Sequence, residues 1–279
     1  MARIDSSTTG YKAQHMTAEG SYFVVLNSID HFDLPALADI LSRTSGIHRM
    51  DATTQLKHSW GLLYKTDVIE EAEELQQAFG QIEIETFVLP ASRLRKPPQP
   101  IVLRKAVPKA DGLAFQDKGY DKFLKWSSVI LLCAGEIEEI LRTTERLPPN
   151  GKVKKWLFRT GLTPITAVAI QHERSKTREV TKHRSESRYY LDLIATDDCD
   201  SLRIIGDSFD YSCLGSKMAY NVLNNFKTLA VDIAKYLTYV TKNQGMRAME
   251  AQTIAQGSKY GSLDDFENEK LWLMQLTPD

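Results

Sequence analysis

Cysteine is scarce in this chain: Cys133, Cys199 and Cys213 are the only three among 279 residues. Three thiols cannot all pair and none stands in CxxC spacing, which argues against a disulfide or zinc framework and suits a reducing, cytoplasmic compartment. Long apolar runs are missing as well. The longest, Val129 to Ala134 (VILLCA), falls far short of the roughly 20 residues that span a bilayer, and the opening MARIDSSTTG has no apolar signal-peptide core. Nor is there an excess charge of one sign, since 35 Lys plus Arg against 36 Asp plus Glu leave a formal charge of -1. Affinity for nucleic acid or an anionic membrane must therefore be local. The phosphate and nucleophile motifs GxGxxG, GxxxxGKS/T and GxSxG do not occur, which disfavours a dinucleotide or P-loop enzyme and leaves no cofactor to expect. Asp197, Asp198 and Asp200 lack EF-hand spacing and read as a hairpin turn, so no metal site is expected.

What is present is ordinary globular material: 42% apolar, 25% charged and 9% aromatic residues. At roughly 150 residues per domain, two small domains are expected. Residues 1–20, rich in Ser, Thr and Gly, predict a flexible tail. From 21 to 92 the pattern is βααβαβ. Tyr22 to Leu26 reads as a buried strand, Asp33 and Pro35 start a helix that Gly46 stops, and a second helix follows from Asp51. Leu62 to Tyr64 is a short strand, an acidic helix carries Val68, Ala72, Leu75 and Phe79 inward, and Ile82 to Leu89 alternates as a strand up to Pro90.

Residues 93–110 hold four prolines among basic residues and predict an extended connector. Beyond it the period changes to two. Gly112 to Phe115, Phe123 to Trp126, Ser128 to Gly135, Gly151 to Phe158, Pro164 to Gln171, Tyr189 to Thr196 and Leu202 to Asp207 read as seven strands. A long helix over about Ser216 to Val240, with Val222, Phe226, Leu229, Ala230, Ile233, Leu237 and Val240 in one stripe, is expected to stopper that sheet. Residues 241–279 read as a mostly loose tail with an apolar anchor at Leu271 to Leu276. The change of rhythm near residue 110 predicts two separately built cores.

VVL (Val24 to Leu26), Leu41, Gly46 with Ala52, and EEAEEL (Glu70 to Leu75) before an alternating strand fall in an order that resembles two families sharing one fold. These are the C-terminal domain of the bacterial ribosomal stalk protein and the adaptor that delivers N-end-rule substrates to the Clp protease. The first would meet translation factors through lysines such as Lys57. The second implies that Asn27 and Asp30, after the first strand, and His58, near the end of the second helix, hold the first residue of a client. FLKWSSVILLCAGEIE (Phe123 to Glu138), YYLDLIA (Tyr189 to Ala195) and SLRIIGDSFDYSCLG (Ser201 to Gly215) before the long helix resemble a bacterial pleckstrin-homology-like, or GRAM-like, domain. The fold class expected is therefore α+β: a small βααβαβ sandwich followed, over 111–240, by a seven-stranded pleckstrin-like barrel capped by a C-terminal helix. Such domains bind lipid headgroups, peptides or proteins, which favours binding over catalysis.

The strongest local anomaly is electrostatic. Between Leu141 and Arg188, twelve Lys plus Arg face four Glu, a local charge of +8. Within it Lys152, Lys154, Lys155 and Arg159 interleave with Trp156 and Phe158, types that grip phosphates and stack on bases. A strand with one wet face accounts for the same pattern. The reading is a non-enzymatic cytoplasmic adaptor or scaffold with a protein or peptide partner. Nucleic-acid or anionic-lipid binding through Lys152 to Arg188 is one alternative, and an unrecognised enzyme the other.

Overall fold

The structure, a computed structural model, describes residues 20–29, 33–147, 178–196, 199–252 and 259–277. Strand β1 (Tyr22–Leu26) buries Val24, Val25 and Leu26. Asp33 then caps helix α1 (Leu34–Ser45), its carboxylate accepting from the Ala36 N–H at 3.1 Å, and Gly46 ends the helix at φ 71°. Helix α2 (Arg49–Ser59) begins two residues ahead of Asp51, capped by the His48 ring, and leads into β2 (Leu62–Thr66). Helix α3 (Ile69–Gly80) turns its Ala72, Leu75 and Phe79 inward. The strand expected from Ile82 starts only at Thr86, because the Ile84 N–H still bonds back to the Phe79 carbonyl; the strand formed is β3 (Thr86–Pro90). The three strands pair antiparallel in the order β2-β1-β3.

The later strands are β4 (Ile101–Leu103), β5 (Ala106–Pro108), β6 (Gly112–Asp117), β7 (Tyr120–Lys125), β8 (Val129–Leu147), β9 (Arg178–Ala195) and β10 (Leu202–Ile205). Helix α4 (Val222–Ala234) follows, then β11 (Thr241–Lys242), helix α5 (Gln244–Glu250), β12 (Lys259–Tyr260) and helix α6 (Leu263–Leu276). They make two sheets: β5-β6-β7, and a larger one ordered β11-β8-β9-β10-β4 with β12 also on β8. Five of the seven expected strands overlap β6 to β10; Gly151 to Phe158 and Pro164 to Gln171 lie outside the described residues. The protein is thus mixed α+β, with helices and several sheets, and among the described residues no sheet closes into a barrel.

Packing accounts for the open form of the large sheet among the described residues. Along β8 and β9 successive side chains go to opposite faces, and both faces are buried. Leu132, Ala134, Leu191 and Leu193 join α4 and the β5-β6-β7 sheet in one core; Leu131, Cys133, Ile137, Tyr190 and Ile194 join the N-terminal elements and α6 in the other. Helix α4 therefore lies on a face of the sheet, where a closed barrel would have kept that face inside. It also starts later than Ser216, because the Asn221 side chain caps it and Gly215 leaves helical geometry.

Two further expectations are corrected. Residues 93–110, expected as an extended connector, are built into the sheets: β4 pairs parallel with β10, β5 pairs with β6, and the Arg95 backbone exchanges hydrogen bonds with the Gln275 side chain. Nor is 241–279 a mostly loose tail. It contains α5 and α6, and Phe266, Trp272, Leu273 and Met274 are buried. The described residues form two cores, but these do not divide near residue 110, because α6 returns from the far end of the chain to complete the N-terminal one.

Candidate functional site

Asn27 follows β1 and is exposed, its amide donating to Glu85 at 3.4 Å. His58 stands at the end of α2 with its ring 63% exposed, and its Nδ1 lies 2.7 Å from Asp265 Oδ1 on α6. The Asn268 side chain donates to the His58 carbonyl at 2.8 Å. Between these positions Trp272 donates from Nε1 to the Leu26 carbonyl at 2.8 Å, and its indole rests against Gly61. A Cβ at Gly61 would come within 1.9 Å of the ring, so only glycine leaves the space. What the structure brings around the end of β1 is therefore the seat of α6. Asp30, Lys152, Lys154, Lys155, Trp156 and Arg159 lie outside the described residues.

Among the described residues, two clusters of ionisable groups are interior. Asp192 sits between Tyr190 and Ile194 on a buried face of β9, fully enclosed. Arg203 clasps it with two bonds of 2.7 and 2.6 Å, and Lys270 meets it at 2.5 Å. Glu267 completes the set, bonded to Arg203 at 2.5 Å and Lys270 at 2.7 Å. Two cations and two carboxylates thereby neutralise each other. Burial alone would lower the Arg203 pKa, but Asp192 and Glu267 hold it above its ordinary value. Beside this quartet, Asn243 ties α5 to β8: its Oδ1 accepts from the Ala134 and Met246 N–H groups, and its Nδ2 donates to the Ala134 carbonyl, each at 2.9 Å. The same Nδ2 contacts the Tyr260 hydroxyl at 2.7 Å and Glu269 at 3.2 Å, while Tyr260 donates to Glu269. Burial pushes the Glu269 carboxyl above its ordinary value against the pull of those bonds, and burial also raises Tyr260 and Cys133 well above theirs. These networks are satisfied within the fold. Sequence reasoning missed them, although a lone acid inside YYLDLIA and acids and a lysine beside LWLMQL were the visible signal.

Open clefts lie elsewhere on the described surface. One of about 430 Å³ is lined by Cys213, Lys217, Asp232 and Lys235 among others. Its charges answer each other: Lys217 and Lys235 each reach Asp232 at 2.7 Å and lower its pKa, and burial raises the Cys213 thiol. A larger one, about 670 Å³, lies over the β5-β6-β7 sheet. Lys118 and Gly119, both at positive φ, turn β6 into β7 as a two-residue hairpin, so the register is strict. Val107 stands opposite Ala114, and Ala114 opposite Phe123, which places the three in one row across one face. Ala106, Leu113, Phe115 and Leu124 alternate with them into the core beneath.

The row is partly open, with Val107 42% and Phe123 41% exposed. Two residues along the strands to one side stand Lys109, Gly112 and Lys125; Phe123's ring lies over Gly112. Lys109 is held at its backbone, which donates to the Gly112 carbonyl and accepts from the Trp126 indole at 2.9 Å. Among the described residues neither Lys109 nor Lys125 has an ion-pair partner. To the other side stand Lys105, already 3.1 Å from Asp210, and Gln116, which donates to Asp121 at 2.9 Å. Lys122 belongs to the opposite parity of β7, where Asp200 and Asp117 raise its pKa.

No family model, curated protein or solved structure matches the chain. Among the described residues, no group of three or more His, Cys, Asp and Glu could hold a metal, and no helix is long and apolar enough to cross a membrane.

Proposed function

We propose that this is a non-enzymatic binding protein, an adaptor or scaffold, that takes a protein or peptide on the open face of the β5-β6-β7 sheet. The observation that carries the reading is the row Val107, Ala114 and Phe123, left part-exposed and bordered by lysines, while among the described residues Asp192, Glu269, Tyr260 and Cys133 are enclosed in the interior. Apolar side chains presented in register on a rigid sheet gain free energy when a partner removes them from water. The sequence resemblance of residues 21–92 to the adaptor family belongs to this proposal and points the same way. Selection of a random peptide library by the full chain tests it. Peptides should be retained by the native protein and lost, about tenfold or more in Kd, by a Phe123→Glu variant with unchanged melting behaviour. Failure to retain any peptide rejects the reading.

A second reading, binding of nucleic acid or anionic lipid, is favoured by one observation. Strands β8 and β9 stay paired with each other for ten residue pairs, Glu138 with Ser187 through Leu147 with Arg178, beyond the last position where another described strand joins them. The sequence between them, 148–177, carries six Lys plus Arg against one Glu. Filter and vesicle binding that falls steeply with salt, and is abolished by Lys154→Glu with Lys155→Glu, would support it; no binding at low salt would end it.

A further inference from the structure

Resting on the peptide-binding reading above, we infer that the occupant of the β5-β6-β7 face is an extended segment with a carboxylate side chain two residues from an apolar one, the carboxylate lying over Lys109 and Lys125. In an extended chain, side chains on one side recur every two residues, about 6.6–6.8 Å apart. The rows of this face are also two residues apart along their strands: the lysine row, then the apolar row, then Lys105, Gln116 and Asp121. A segment lying along the strands therefore meets the rows in step. Its apolar side chain rests on Ala114 between Val107 and the Phe123 ring, and a carboxylate two residues away meets two lysines that have no partner within the described protein.

The opposite side is electrically different. Lys105 is engaged by Asp210, and Asp121 is exposed there, so a carboxylate two residues the other way gains nothing and a neutral or basic side chain fits better. This asymmetry gives the ligand a direction. The same face suits single-stranded nucleic acid less well, because Phe123 is the one ring in the row, and neither Val107 nor Ala114 offers a plane for the next base.

Three synthetic peptides measured against the full chain by fluorescence anisotropy test the inference. The core of the first is Asp-Thr-Leu-Thr-Gln, of the second Lys-Thr-Leu-Thr-Gln, and of the third Asp-Leu-Thr-Thr-Gln, which has the acid adjacent. The first should bind about tenfold tighter than the second, as expected when two exposed ion pairs become repulsions, and its advantage should shrink with added salt. It should also outbind the third. A Lys109→Glu, Lys125→Glu double variant, altered only at exposed positions, should invert the preference between the first two. Binding without preference for the acid, equal binding of the third peptide, or displacement of the peptide by a single-stranded oligonucleotide that binds tighter would overturn the inference while leaving the binding face standing. If no peptide of any composition binds, the functional reading itself falls.

Discussion

The seat of Trp272 on Gly61 can be tested to the level of a single methyl group. Replacing Gly61 by Ala puts a Cβ at 1.9 Å from Cε2, 2.1 Å from Nε1 and 2.3 Å from Cδ2 of the indole. The ring cannot swing aside freely, because Trp272 is 3% exposed and its Nε1 is bonded to the Leu26 carbonyl. Nor does the backbone object to Ala, since Gly61 is not among the glycines at positive φ. The expected cost is therefore steric: about 1–3 kcal/mol for overpacking, plus about 1 kcal/mol if the indole bond is lost. Trp272→Ala alone should cost about 3–5 kcal/mol through the cavity it leaves. In that background Gly61→Ala meets only the cavity, and should be neutral or stabilise by about 0.4–1 kcal/mol through the unfolded chain. Urea denaturation of the four proteins closes a double-mutant cycle, with expected coupling of about 2 kcal/mol or more. Equal costs for Gly61→Ala in both backgrounds would refute the placement of α6 on the N-terminal sheet.

Lys270→Met should lower stability by about 3–5 kcal/mol, because Asp192 is fully enclosed and loses one of its two cations; a thermal melt no lower than that of His58→Ala would contradict this. His58→Ala itself should cost less than about 1 kcal/mol, since its ring stands largely in water beside Asp265. Glu269 is held above its ordinary pKa of 4.5 by burial, so its contribution is fully present below that value and is lost as pH rises through the raised value in the fold. Glu269→Gln should remove that decline, and parallel pH profiles of unfolding free energy for variant and native protein would refute it. Asn243→Ala should cost at least as much as Glu269→Gln, because it strips partners from both the Ala134 N–H and its carbonyl inside β8.

Local chemistry settled much of the architecture from the residues alone. Asp33, Pro35 and Gly46 delimit α1 because a carboxylate cap, a preset φ and a left-handed stop act within one turn of chain. The short, nearly continuous apolar runs VILLCA and YYLDLIA specify buried strands, and the stripe from Phe226 to Ile233 specifies a helix with one buried side. Tertiary structure alone decided what each buried side meets. Leu131 and Leu132 face opposite ways and both are apolar, which calls for cover on both faces but not for which elements supply it; among the described residues the sheet expected as a barrel is open and lies between two layers. The partners of α6 lie more than 150 positions away at Leu26, His58 and Gly61, and burial there depends on a space that only the fold creates. The candidate binding face has the same origin: Val107, Ala114 and Phe123 are unremarkable in the text of the chain, and only strand register sets them side by side with two lysines at their border.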